Sequence, residues 1–514
     1  MNQESRVCQN CKSEFVIEPE DFEFYAKIKV PAPTWCPECR NNRRMAWREE
    51  RTLYHDTCQL CKKPTISIHA PNGPFTIFCR DCWKSDKWDP MDYGQDYDFS
   101  QPFFPQYRQL MEKVPRPALT GSNLVDSEFT HISSNCKKCY FVFCSYFTEN
   151  SQNCYALLFS KDCFDCYITD NSDHAYESLH SNRLYKTRFA YFSDDCFDSS
   201  FLYDCVGCSD CFGCVNLRKQ KYCLFNQQLS KEEYHHQMEY WDLGNYKRLQ
   251  EAKEKFRALY LSLPHRFAHI RNSQNVTGDI IRDANNCQTC FSTLDEVENC
   301  KFLYFGGLNL KDSYDVSAGG DTSSLFYEIM GITQGYNCIF SGGGGGSQNV
   351  CYSDWTYHSS NIFGCISLKH KKYCILNKQY TEEEYEKLVP QIIEQMNNVP
   401  YIDKLGRVYK FGEFFPPEFS AWAYNESFMF SLRPKTKEEV LKEGWQWRDP
   451  TEKSPVISLR PENLPNHIKD VSDSILQETI GCQHAGQCNE QCSIAFRITP
   501  DELKFYRQMN IALP

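Results

Sequence analysis

The sequence predicts a mainly β protein: cysteine-paired modules at the N-terminus, a central duplicated β-solenoid-like repeat with intervening helices, and a small C-terminal α+β region. Three observations carry this. Four C-x2-C pairs precede residue 83, a long segment recurs at an offset of 151 residues, and within it short runs of aromatic and small residues repeat. Thirty cysteines would suggest disulfides in a short secreted chain, but this one has 514 residues, a polar start (MNQESRVCQN) and repeated C-x2-C spacing. The expectation is a cytoplasmic protein with reduced thiols, some of them on metal. No run approaches the ~18 apolar residues that span a bilayer, so no membrane partner is expected. With 56 Lys+Arg against 67 Asp+Glu, the net charge of -11 excludes whole-surface attraction to a polyanion and leaves only local patches.

The first elements are metal modules, at residues 1–55 and 56–118. Cys8, Cys11, Cys36 and Cys39 form one set of four thiolates, and Cys58, Cys61, Cys79 and Cys82 a second. Zn2+ takes four sulfurs tetrahedrally without ligand-field preference, and closed pairs of this kind make structural rather than catalytic sites. At least two Zn2+ are expected. Trp83 and Trp88 should pack over the second site, since a small knuckle offers tryptophan little other core. The following DYGQDYDFSQPFFPQ reads as an acidic, aromatic linker lying against a neighbour.

The pattern Cys8-x2-Cys11, Glu14-Phe15-Val16, Phe24-Tyr25, Cys36-Pro37-x-Cys39-Arg40 and Arg43-Arg44 resembles the zinc-ribbon/treble-clef domain family that ends in CPxCR. The resemblance covers residues 8–44 and implies zinc on the four cysteines, not a reaction. It recurs in part at the C-terminus, where Phe496-Arg497-Ile498 stands for Phe15-Val16-Ile17 and Phe505-Tyr506 for Phe24-Tyr25. Cys482, His484, Cys488 and Cys492 are candidate ligands for a cramped further site there. The whole chain also resembles cysteine-rich proteins of candidate-phylum bacteria, a likeness that implies no function.

If the second cysteine pair opens a helix, Arg40, Arg43, Arg44, Trp47, Arg48 and Arg51 form one continuous face. Two readings compete. The stripe grips phosphates, with Trp47 stacking on bases, or it is a solvated face offsetting the -2 charge of a Zn(Cys)4 centre.

The repeat divides the centre into halves at 119–262 and 263–398. GCVNLRKQKYCLFNQQLSKEEY matches GCISLKHKKYCILNKQYTEEEY, each ending in Ser or Thr before Glu-Glu-Tyr, a helix N-cap with an acidic first turn. A shorter period of 21 residues sets Cys154, Ala175 and Cys196 in one column and Cys163, Leu184 and Cys205 in another, suggesting stacked coils. Cys205-x2-Cys208-x2-Cys211-x2-Cys214 has ferredoxin-like spacing, but its columns also hold Leu184 and Thr187, so buried small side chains are the more economical reading. Gly342–Gly346 lacks a following Lys-Ser/Thr and reads as a turn, not a phosphate loop. Asn226 and Asn377 recur in KYC-x-x-N, placed to cap the last coil of each half.

Residues 399–470 are rich in proline and tryptophan and read as extended arms. Residues 471–514 hold the partial zinc-domain-like end. No HExxH, GxSxG, Walker loop or dinucleotide fingerprint appears. The expected function is a non-catalytic zinc-binding scaffold, its N-terminal modules meeting nucleic acid or a ribonucleoprotein and its solenoid meeting protein partners. The alternative is an enzyme, either an iron-sulfur redox protein or a carbohydrate-active β-solenoid.

Overall fold

Every third residue from Ile132 to Phe225 has a left-handed backbone, and every third residue from Ser133 to Cys214 is buried. This is a computed structural model, and it describes residues 2–449, 455–485, 487 and 493–514. The three-residue rhythm explains the sequence: the buried third is always Ser, Cys, Thr, Ala, Val or Leu, small enough to meet across a narrow interior. One left-handed residue turns a corner, and four corners close a coil. Tyr155, Tyr167, Leu179, Tyr191 and Tyr203 accordingly stack in parallel register, twelve residues apart. Left-handed backbone costs about 1–2 kcal/mol for a residue with a side chain, and the parallel ladders above and below every coil offset it.

Serine and cysteine do the same work inside. Ser160 Oγ donates to the carbonyls of Leu158 and Thr169 at 3.1 and 3.0 Å and accepts the Ser172 N–H at 3.3 Å. Cys154 Sγ donates to the Cys163 carbonyl at 3.3 Å and accepts the Cys166 N–H at 3.4 Å. The inward hydrogen-bonding group ties one coil to the next.

The chain forms two units, Met1–Leu119 with Arg266–Asp449, and Thr120–His265 with Pro450–Pro514. The first holds the metal modules and the second repeat. Coils there open at eleven residues, as in Gln274↔Asn285, widen to thirteen, as in Val297↔Leu310↔Ser323, and settle to twelve, as in Tyr336↔Gln348↔Ser360. The second unit holds the first repeat and the C-terminal segment, whose helix Pro500–Met509 packs on it.

Twelve, not 21, is the coil. Both are multiples of three, so the sequence period sorted inward from outward correctly and the columns wrongly: Cys163 lies against Ala175, not below Leu184. Gly342–Gly346 is not a turn either. Tyr336–Gly345 is a strand of the stack, and a Cβ on Gly344 would collide with the Thr356 carbonyl oxygen. The expected linker instead runs into a helix, Phe103–Lys113, burying Phe103, Phe104, Tyr107, Leu110 and Met111. Asn226 and Asn377 do close the coils. Each side-chain amide mimics one more backbone unit: Asn226 accepts the Val215 N–H at 2.8 Å and donates to the Val215 carbonyl at 3.0 Å, and Asn377 does likewise with Ile366. Ser230 and Thr381 then cap the helices Lys231–Tyr240 and Glu382–Asn398 as expected.

Candidate metal centres and the arginine helix

Both metal sites are built the same way. A hairpin, Glu4–Val7 with Glu14–Ile17 or Tyr54–Thr57 with Pro64–Ser67, presents the first cysteine pair in a tight turn. Left-handed Lys12 and Lys62 follow the second cysteine of each turn, where the Lys N–H bonds back to the Cys8 or Cys58 carbonyl. The second pair opens a helix. Cys36 is the N-cap of α2, Pro37–Met45, and Cys79 of Arg80–Lys84. Between the pairs of the first site runs α1, Pro19–Lys27, with proline in its first turn and a Glu18–Asp21 capping box.

The four sulfurs of each set lie within 4.8 Å of one another. Cys11 and Cys36 are 3.8 Å apart and Cys61 and Cys79 3.9 Å, close to the separation that a Zn–S bond of about 2.3 Å gives in a tetrahedron. Backbone amides already point at sulfur: Cys36 N–H to Cys8 at 3.3 Å and Cys79 N–H to Cys58 at 3.2 Å. Asn10 Nδ2 donates to Cys39 at 3.3 Å. Donors aimed at thiolate favour the charged form. Contacts from the Cys36 and Cys39 thiols hold Cys8 below the ordinary thiol range. Burial works against Cys58, but the amides of Cys61 and Cys79 bring it down to about 6. The donor sets fit two Zn2+ as closed structural centres. Trp83 is buried beside Cys58 and Cys82, and its Nε1 donates to the Pro115 carbonyl at 3.2 Å.

The arginine stripe exists and faces inward. Arg40 donates from Nη2 and Nε to Asp315 Oδ2 at 2.7 and 3.0 Å, and from Nη1 to the Trp35 carbonyl at 2.7 Å. Arg43 bridges Glu328 at 2.9 Å and Glu413 at 3.1 Å. Arg44 reaches Asp315 at 3.1 Å, Glu328 at 3.3 Å and Ser317 Oγ at 3.1 Å. All three guanidinium groups are buried. Burial alone would lower the Arg40 pKa, but the Asp315 carboxylate outweighs it and raises that pKa further. For Glu328 burial wins over Arg43 and Arg44, and its carboxyl stays above the usual range.

This corrects the phosphate-gripping face. Arg40, Arg43 and Arg44 already hold carboxylates of the solenoid. Trp47 is buried and stacks on Phe415 at 4.8 Å, and Arg48 is buried and pairs with Glu50. The helix ends at Met45, so only the first three arginines are helical; Arg51 is exposed and lies over Phe428 at 5.8 Å. The solvated-face reading fails too. Nothing near Arg40 announces partners 275 residues away. The one signal was composition: Asp315 and Glu328 stand at buried corners of an otherwise apolar aromatic face, where an unpaired carboxylate is costly.

Cys205, Cys208, Cys211 and Cys214 occupy successive inward positions around one coil and are fully buried. Cys205 donates to the Tyr203 and Cys214 carbonyls at 3.5 and 3.4 Å, and Cys214 to Phe212 and Cys223 at 3.4 Å each. They take the place serine takes elsewhere. Among the described residues, groups of three or more potential ligand atoms within 4.8 Å of one another are the two cysteine quartets and Asp162, Asp173 and His174. In the C-terminal candidate, Cys482 and His484 are described, and Cys488 and Cys492 lie outside the described residues.

Residues 4–48 match the family described as "Probable treble clef domain". A solved chain described as "putative acetyltransferase from Desulfovibrio desulfuricans G20" aligns at 10% identity over 63% of this chain and 81% of its own, with a TM-score of 0.11. An overlap that loose carries no argument. No curated protein matches the chain. The knuckle, the helix-opening second pair and the family match agree, and residues 4–48 form a domain of the zinc-ribbon/treble-clef kind.

Proposed function

We propose that the chain is a non-catalytic, zinc-stabilised scaffold whose solenoid surfaces meet protein partners. The observation that supports this is where the arginines of α2 go: zinc fixes the helix, and its charges are spent on Asp315, Glu328 and Glu413 within the same unit. The metal thus orders a surface and not a reacting group. The direct nucleic-acid contact expected of Arg40, Arg43, Arg44 and Arg48 is not part of this reading, because a guanidinium already paired in a desolvated site has little left to offer a phosphate. A ribonucleoprotein would be met through its protein component. Purification of the tagged protein from its own cells, with and without nuclease, tests this. Partners that survive digestion support the scaffold, and loss of every partner on digestion overturns it.

A further inference from the structure

The second unit repeats the docking geometry of the first. α1 lays Phe24 on Tyr314 with ring centroids 3.9 Å apart and sets Tyr25 against Tyr327 at 5.4 Å. In the second unit, α3, Pro500–Met509, lays Phe505 on Phe164 at 4.0 Å and sets Tyr506 against Tyr176 at 5.8 Å. Both helices start with proline and close a capping box, Glu18 with Asp21 and Thr499 with Glu502. The correspondence extends to the corners beside these rings. Asp315 and Glu328 are left-handed corners of successive coils, and so are Asp165 and Glu177. Glu177 precedes Glu328 by the offset of 151, and Asp165 precedes Asp315 by 150, because the intervening coil of the second repeat is one residue longer.

In the first unit these two carboxylates receive Arg40, Arg43 and Arg44. In the second, no arginine among the described residues pairs with either of them. Glu177 has Lys253 at 3.8 Å, and Asp165 has the amide of Asn153. Glu502 is taken up by its own helix cap and by Asn153 Nδ2 at 3.0 Å. Burial, then Glu177, the Cys166 thiol and Glu502, push the Asp165 carboxyl up to about 8. An acid is held where the sister unit holds an ion pair.

We propose that Asp165 and Glu177 form a seat for an arginine-bearing helix of a partner protein, engaged as α2 engages Asp315 and Glu328. This rests on the scaffold reading only in taking the partner to be a protein. The occupant needs two arginines at i and i+4, like Arg40 and Arg44, since these reach successive corners and a planar fork matches a carboxylate better than an ammonium does. A second copy of this chain does not qualify, because its α2 arginines are buried on its own carboxylates.

The full-length protein is titrated, at low salt and by fluorescence anisotropy, with a lactam-stapled peptide spanning residues 37–48, carrying Asn42→Lys bridged to Glu38. The expected result is saturable binding, weakened about tenfold or more by Asp165→Asn with Glu177→Gln in the protein, and equally by Arg40→Gln with Arg44→Gln in the peptide. Each protein substitution is also made alone, with circular dichroism and zinc content as checks on folding. Absent binding, or binding indifferent to the carboxylates, overturns the seat. That failure leaves the scaffold reading standing, because nuclease-resistant co-purification reports any protein partner.

Discussion

Arg40 and Arg44 share one carboxylate: Asp315 receives the first on Oδ2 at 2.7 Å and the second on Oδ1 at 3.1 Å, with all three side chains buried. The treble clef is thereby fastened to the solenoid by charge as well as by the Phe24–Tyr314 stack. Buried ion pairs contribute little net stability compared with apolar replacements, yet removing one partner strands the other.

Asp315→Asn should therefore destabilise the first unit by about 3–5 kcal/mol, since Arg40 loses its carboxylate and Arg44 keeps only Glu328. Arg40→Met with Arg44→Leu and Asp315→Leu should recover most of that loss. Urea unfolding of the three-site variant beside the single one reads this directly; equal losses in both would show that the charges matter through something other than pairing.

Metal analysis should find at least two zinc ions per chain. Cys36→Ser with Cys39→Ser should remove one of them and loosen α2, because ligand binding and local folding are one process in such modules. Amide exchange around Asp315 and Glu328 should then rise as the arginines withdraw. Unchanged exchange there would separate the metal from the docking.

Inside the solenoid, Cys205→Ser should cost no more than about 1 kcal/mol, because a hydroxyl supplies the same donor. Cys205→Phe should cost about 1–3 kcal/mol or more by overpacking. Thermal melts of the two variants distinguish a ladder position from a ligand, for which serine would be as damaging as phenylalanine.

The Asp165 carboxyl, raised to about 8 from an unfolded value near 3.9, keeps its proton in the folded state where the unfolded chain has lost it. The folded state binds more protons across that window, so this group's contribution is full below pH ~4 and falls as pH rises through about 8. Asp165→Asn should flatten the decline in melting temperature between pH 5 and pH 8. A variant with the wild-type slope would place the titration elsewhere.

What the sequence disclosed follows from the range of each interaction. Cys8 through Cys82 announce metal because ligand spacing is local, and Ser230 and Thr381 announce caps for the same reason. Asn226 and Asn377 were legible because duplication placed them at equivalent ends. The coil length was hidden, since left-handed corners are filled by Phe159, Asp162, Asp165 and Ile168 as well as by Gly207 and Gly213, and no single residue type marks them. The inward aim of Arg40, Arg43 and Arg44 was hidden for a different reason: a stripe of charge looks the same whether it meets water or a carboxylate brought from a distant coil.

The three-residue rhythm has an evolutionary corollary. Twelve added residues would return the chain to the same corner with the same side chains turned inward, so the stack can lengthen or shorten by whole turns without redesigning its interior. Three added residues would keep every inward side chain inward while rotating the outer face by one side. The thirteen-residue turns around Val297 and Leu310 show that a single extra residue is also absorbed. Such a rod offers natural variation a way to change which side chains share a surface while leaving its inner rule untouched.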